Sequence, residues 1–256
     1  MSPRWPLALF LVCHGAALAA PACTASSGPA RTSLLELYTS EGCSSCPPAD
    51  QWLSTLRELE MSGNRLAPLA FHVDYWNGLG WTDRFSNPAY SARQRWLAGV
   101  SRARTVYTPQ FVLDGRDWRP GWGGGPPAPR PGEAPILRLA LGKSTATSLD
   151  VAGSLEMRGA ARDIQVFLAL HENRLSSRIE AGENAGNLLR HDYVVRQLLG
   201  PLHVPAGDGR LDFRLALRLE QGWKREDLNV TVFAQSASTG EVFQALQMAL
   251  CRGTAP

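Results

Sequence analysis

Two cysteines separated by two serines, Cys43-Ser44-Ser45-Cys46, are the residues of this chain whose type and spacing most directly suggest chemistry. A dithiol with this spacing can close into a disulfide and reopen, so it can carry two electrons between itself and another thiol pair. The thiolate is the reactive form, and a helix N-terminus favours it through unpaired N–H groups and a partial positive charge. Cys43, first in order and expected to be the more exposed, is assigned as the attacking sulfur. Cys46, one turn deeper, is assigned to resolve the mixed disulfide. Half of a zinc site or a purely structural bridge shares the spacing, so the neighbouring elements must decide.

Those elements read as follows. The run Leu34, Leu35, Leu37, Tyr38 predicts a buried strand over 33–40 that ends in the turn Thr39-Ser40-Glu41-Gly42. After Pro47 and Pro48, which a first helical turn tolerates, Trp52, Leu53, Leu56 and Leu59 recur at helical spacing. The cysteines therefore sit at a predicted helix start. A second strand is predicted over 66–73, ending at Asp74. Asn87-Pro88 then caps a helix carrying Ala89, Ala92, Trp96 and Val100. A third strand, 110–114, follows Thr108-Pro109 directly. Alternation of strand and helix predicts an α/β sheet with parallel pairing over 30–115.

From Arg116 the chain is rich in proline and glycine, and 116–135 reads as a linker or long loop. Beyond it, short alternating segments at 147–155, 163–171, 210–220, 228–236 and 241–250 predict a smaller antiparallel β-sandwich-like domain over 136–256. Phe213, Leu215 and Leu217 alternate with Arg214, Ala216 and Arg218, as in a sheet with one wet face.

The segments ELYTSEGCSSCPPAD, AFHVDYW, SARQRW and VYTPQFVLDGR resemble a family of exported bacterial thioredoxin-like proteins catalogued as a domain of unknown function. The opening is also similar to glutaredoxin. The resemblance implies an α/β thioredoxin-like domain, with Cys43, Cys46 and Pro109 at the motif positions and the Thr108-Pro109 bond cis. It supplies no substrate. Thioredoxin carries a buried acid on the strand entering its motif, whereas the matching position here is Leu37. Glu36 lies one residue out of phase, either a proton carrier displaced by a bulge or a solvated acid.

The first 22 residues read as an export signal: Arg4 is a positive start, Pro6 to Ala20 is largely apolar, and the small-x-small sites Ala17-Leu18-Ala19 and Ala20-Pro21-Ala22 offer cleavage. The apolar stretch is short for a membrane span, so a cleaved signal is expected over the alternative of an uncleaved anchor, with no span in the mature chain and a periplasmic or secreted location. Of five cysteines, Cys13 leaves with the signal. Cys43 and Cys46 pair with each other, so Cys23 and Cys251 are expected to form a structural disulfide. The alternative is a removed or lipid-attached Cys23, although Ala20-Pro21-Ala22 is a poor lipobox.

Other candidates are weaker. His72 and Asp74 alternate at a strand end, as a metal ligand and its partner or as a half-buried histidine with ordinary hydrogen bonds; no metal site and no cofactor is assigned. Tyr75, Trp76 and Trp81 either line a groove or belong to the core. Gly182-Glu183-Asn184-Ala185-Gly186 and His191-Asp192 have no assigned role, and His191-Asp192 has no partner nucleophile. Asn229-Val230-Thr231, formally a glycosylation signal, is discounted because it falls in a predicted strand. The 26 basic and 23 acidic residues are scattered, which argues against nucleic-acid binding. Three functions remain: an oxidoreductase of the cell envelope exchanging disulfides with protein thiols, a copper-handling module using Cys43, Cys46 and His72, or a binding domain with a structural dithiol. Redox direction and oligomeric state are not legible.

Overall fold

A computed structural model describes residues 23–58, 66–119, 127–128, 131–157, 163–205, 207 and 209–251. The expected signal peptide and Cys13 lie outside them. In chain order the elements are β1 (Cys23–Ser26), β2 (Ser33–Thr39), α1 (Pro47–Glu58), β3 (Leu66–His72), α2 (Pro88–Val100), β4 (Gln110–Leu113), β5 (Arg116–Trp118), β6 (Ile136–Ser144), β7 (Ser148–Glu156), β8 (Ile164–Glu172), β9 (Leu175–Arg178), β10 (Leu188–His191), β11 (Val194–His203), β12 (Arg210–Arg218), β13 (Leu228–Ser236) and β14 (Val242–Ala249).

The expected α/β thioredoxin-like domain followed by a smaller antiparallel sandwich is not what forms. The described residues are 48% strand and 13% helix, with two helices. The strands of both halves merge into one eight-stranded mixed sheet ordered β14-β13-β8-β11-β3-β2-β4-β5. The join is β11 against β3, parallel, with Val194 opposite Ala70. The second sheet, β1-β6-β7-β12, takes its first strand from the start of the chain and the rest from the second half. The physical reason is burial on both faces. Strand β2 is buried at all seven positions, and β8 at eight of nine, so each needs cover above and below.

That cover comes from three cores. Alternate residues of β2 divide between them: Leu34 and Tyr38 pack with Tyr90 and Leu97 of α2, and Leu35 and Leu37 pack with Ala49, Leu53 and Leu56 of α1. In β8, Phe167 and Ala169 join the α2 core, whereas Val166, Leu168 and Leu170 face the four-stranded sheet. Helix α2 thus covers one face of the large sheet, and α1 and the smaller sheet share the other. The start of the expected linker is the strand β5, paired with β4.

Candidate functional site

Strand β2 delivers the chain to Thr39, and the turn to Cys43 follows. Cys43 and Cys46 are bonded to each other, with their Cα atoms 5.4 Å apart, immediately before α1. Helix α1 begins with Pro47 and Pro48, which have no N–H, and the N–H groups of Ala49 and Asp50 both donate to the carbonyl of Cys46. The unpaired helix-terminal N–H groups expected beside the sulfurs are therefore absent from the first turn of α1. The helix dipole remains, and the Cys43 Sγ lies 3.4 Å from the Ser45 hydroxyl.

Cys43 is not the more exposed sulfur either. Both cysteines are 0% exposed, and a loop from the second half binds the backbone around them. Asn184 donates from Nδ2 to the carbonyl oxygens of Glu41 and Cys43, at 2.9 and 3.0 Å, and the Glu183 carboxylate accepts from the Ser44 N–H at 3.0 Å. The loop meets the 78–81 turn backbone to backbone: Gly80 and Gly182 have φ of 98° and 76°, and a Cβ on Gly80 would stand 3.3 Å from the Gly182 Cα. Only glycine accepts both demands at low cost. The segment left without a role in the sequence thus binds the turn that carries the dithiol.

The Thr108–Pro109 bond is cis. It leads into β4, whose Gln110 pairs with Tyr38 at the end of β2 from which the dithiol loop departs. Trp76 donates from its indole nitrogen to the Thr108 hydroxyl at 2.8 Å, and Trp81 donates to Glu41 Oε2 at 2.9 Å. These tryptophans anchor the loops around the site. Tyr75 is 39% exposed and donates to Gln94.

Glu36 is neither a proton carrier for the cysteines nor a solvated acid. It lies on the α2 side of β2, fully buried, and accepts from Arg93 Nε and Nη2 at 2.7 and 2.9 Å and from the Tyr38 hydroxyl at 2.8 Å. Arg93 also donates to Gln235 and stacks near Phe167 and Phe233. Burial and the Glu36 charge push the Tyr38 hydroxyl well above its ordinary pKa.

A second group of buried charges stands on the α1 side, assembled from five segments. His72, at the end of β3, donates from Nδ1 to Asp83 Oδ2 at 2.7 Å. Asp83 also accepts from the N–H groups of Glu41 and Phe85. His191, at the end of β10, places Nε2 3.3 Å from Glu41 Oε1 and Nδ1 3.6 Å from Asp50 Oδ1. Asp50 Oδ2 accepts from the Thr39 hydroxyl at 2.8 Å. The two imidazole centroids are 5.0 Å apart. All five residues are buried. Burial opposes the charge on His191, but Asp50 and Glu41 outweigh it and raise its pKa to about 10. Burial likewise opposes the Glu41 charge, yet His191 and Trp81 hold its pKa below the usual value.

His72 thus gathers with Asp50 and His191. Asp74, its expected partner, instead bonds the Ser91 side chain of α2. Asp192 pairs with Arg57 at 3.0 Å. Asn229 lies in β13 and donates to the Asp227 carbonyl. Cys23 and Cys251 are joined, with Cα atoms 5.9 Å apart. Since Cys23 begins β1 and Cys251 follows β14, the bridge ties the edge of the small sheet to the edge of the large one. No helix among the described residues is long and apolar enough to cross a membrane.

The fold and site define a predominantly β protein, built on an eight-stranded and a four-stranded sheet with a small β10-β9 pair, in which a Cys-x-x-Cys disulfide stands with a buried carboxylate–imidazole cluster. The sequence matches the family described as Protein of unknown function (DUF1223) over residues 34–235, and the chain belongs to that family. No curated protein matches it. Two solved structures are similar. The crystal structure of protein AGR_C_4864 from Agrobacterium tumefaciens has a TM-score of 0.55 and 20% identity, covering 87% of this chain and 96% of that one. HBP35 of Porphyromonas gingivalis has a TM-score of 0.62 and 16% identity, covering 88% of this chain and 76% of that one. At these identities the likeness concerns the fold alone.

Proposed function

We propose that the protein is a thiol-disulfide oxidoreductase of the cell envelope that exchanges disulfides with protein thiols through Cys43 and Cys46. The observation that carries the reading is the position of the pair: a disulfide that closes the Cys43–Cys46 turn at a helix start, with the cis Pro109 leading into the strand beside β2 and a loop bound to the turn through hydrogen bonds from Asn184 and to Glu183. The Asn184 and Glu183 contacts are each of a kind that contributes about 1 kcal/mol, or a few kcal/mol where charge is involved. Release of that loop is a modest step compared with unfolding.

With the loop displaced, a partner thiolate attacks Cys43 Sγ. The Cys43–Cys46 bond breaks, and Cys46 leaves as the thiolate at the head of α1. A second partner thiolate then attacks the mixed disulfide and releases Cys43. The partner loses two electrons and the dithiol gains them; the reverse sequence reduces a partner disulfide. The expected export signal supports the reading, since disulfides persist in exported proteins.

Complete burial of both sulfurs favours a second reading, a binding domain whose Cys43–Cys46 bond is structural. Trapping separates the two. Under the first, Cys46→Ser accumulates mixed disulfides with a disulfide-bearing protein, whose bond the Cys43 thiolate opens with release of one partner thiolate, and Cys43→Ser accumulates far fewer. Equal and negligible trapping by both variants, each folded, supports the structural reading. Trapping by Cys43→Ser alone reverses the assigned roles.

A further inference from the structure

In the buried cluster on the α1 side, polar atoms face one another without hydrogen bonds. His72 has its Nδ1 hydrogen on Asp83, which fixes the tautomer and turns a lone pair outward on Nε2. That Nε2 is buried and has no hydrogen-bond partner, in a side chain 0% exposed. Among the described residues neither His191 nitrogen has a hydrogen-bond partner, nor does Glu41 Oε1. Asp50 spends Oδ2 on Thr39 and points Oδ1 toward His191. One donor atom each from Asp50, His72 and His191 lies within 4.8 Å of the other two.

A proton is the simplest occupant to consider. A doubly protonated His191 would serve Glu41 and Asp50 at once, but it leaves His72 Nε2 without a partner, and an unsatisfied buried acceptor carries a penalty of about 1–3 kcal/mol. A divalent cation serves all three donors. It also suits the charge, since Glu41, Asp50 and Asp83 are buried carboxylates whose ion-pair partners among the described residues are the two imidazoles.

The geometry points to a binding site for a zinc-class divalent ion formed by Asp50 Oδ1, His72 Nε2 and His191 Nδ1. Asp83 on His72 and Glu41 on His191 are the outer carboxylates that orient the two rings, an arrangement common around ligating histidines. Two imidazoles and a carboxylate suit zinc and cobalt, and three protein donors leave a fourth position for water or another ligand. The site is independent of the dithiol reading, because it uses neither sulfur.

The test uses the full mature chain with its disulfides intact, stripped of metal and then folded with Zn2+ or Co2+ present. The expected result is one ion per chain, a visible d–d spectrum with cobalt, and a rise in Tm with zinc. The Cys43→Ser/Cys46→Ser variant should bind equally well. His72→Ala and Asp50→Asn should lose the spectrum. Asp83→Asn keeps all three ligands and should weaken binding roughly 10- to 100-fold; it carries the test if a ligand variant does not fold. Failure of both metals to bind the wild-type chain overturns the site. So does binding that is unchanged in Asp83→Asn, or binding lost in the cysteine variant.

Discussion

The two sides of β2 carry buried charge in opposite ways. On the α2 side, Glu36, Arg93, Tyr38 and Gln235 form a closed network in which both carboxylate oxygens accept hydrogen bonds. On the α1 side, Glu41, Asp50, His72, Asp83 and His191 face one another with four polar atoms of Glu41, His72 and His191 lacking hydrogen bonds. A satisfied network specifies packing, and an unsatisfied one of equal burial is open to a further group. The comparison separates a structural device from a candidate site without reference to any known activity.

The largest effect expected from that contrast is on stability at the closed network. Arg93→Met removes one partner of a buried ion pair and strands Glu36, which should cost about 3–5 kcal/mol. Urea unfolding measures it; a change below about 1 kcal/mol would mean that the network is not closed in the folded chain.

A third buried imidazole sharpens the comparison. Among the described residues the hydrogen-bond partner of His171 is the Thr231 hydroxyl, and burial pushes its pKa down to about 3. Because the unfolded chain takes up a proton below about pH 6.5 that folded His171 refuses, this contribution is complete above that pH. It is lost on acidification at up to about 1.4 kcal/mol per pH unit, until the pH approaches 3. The slope of unfolding free energy against pH should flatten by that amount in His171→Gln, and an unchanged slope contradicts the assignment.

The smallest stability effect belongs to the cover of the dithiol. Asn184→Ala deletes two hydrogen bonds to backbone carbonyls and should lower stability by about 1–3 kcal/mol. It should also speed reduction of the Cys43–Cys46 bond in the folded chain, read by alkylation and mass. Unchanged reduction kinetics would show that the 182–186 loop does not control access.

Much of the local structure was legible. Proline at the start of each helix, the Asn87 cap, which accepts from the Ala89 N–H, and the apolar run before the cysteines all act within a few residues. Strands at 148–156, 164–172, 210–218, 228–236 and 242–249 lie on the alternating segments. The architecture was not legible, because alternation tells which face of a strand is apolar but not which strand lies beside it. Nothing near Val194 announces that β11 pairs with β3. Strand β11 is further disguised by Pro201, whose bond to Gly200 is cis and which coincides with a register shift against β8.

The site divides in the same way. Cys43 and Cys46 stand out by spacing. The carboxylate–imidazole cluster has no sequence signature, since its members come from the β2 turn, α1, β3, the 78–86 loop and β10. His72 and His191 each stand alone in the sequence, and the long-range pairing that joins them is what the sequence hides. The loop bound to the dithiol turn was hidden for the same reason.

An oxidoreductase of this kind must exchange its Cys43–Cys46 bond while the chain is folded. Equilibrating the native protein over a series of glutathione ratios, then quenching and alkylating, measures this directly. Cys43 and Cys46 are predicted to become labelled together as one two-electron couple, changing tenfold in reduced-to-oxidised ratio per roughly 30 mV, with the fold unchanged by circular dichroism. A pair that stays unlabelled at every ratio until urea unfolds the chain would contradict the oxidoreductase reading.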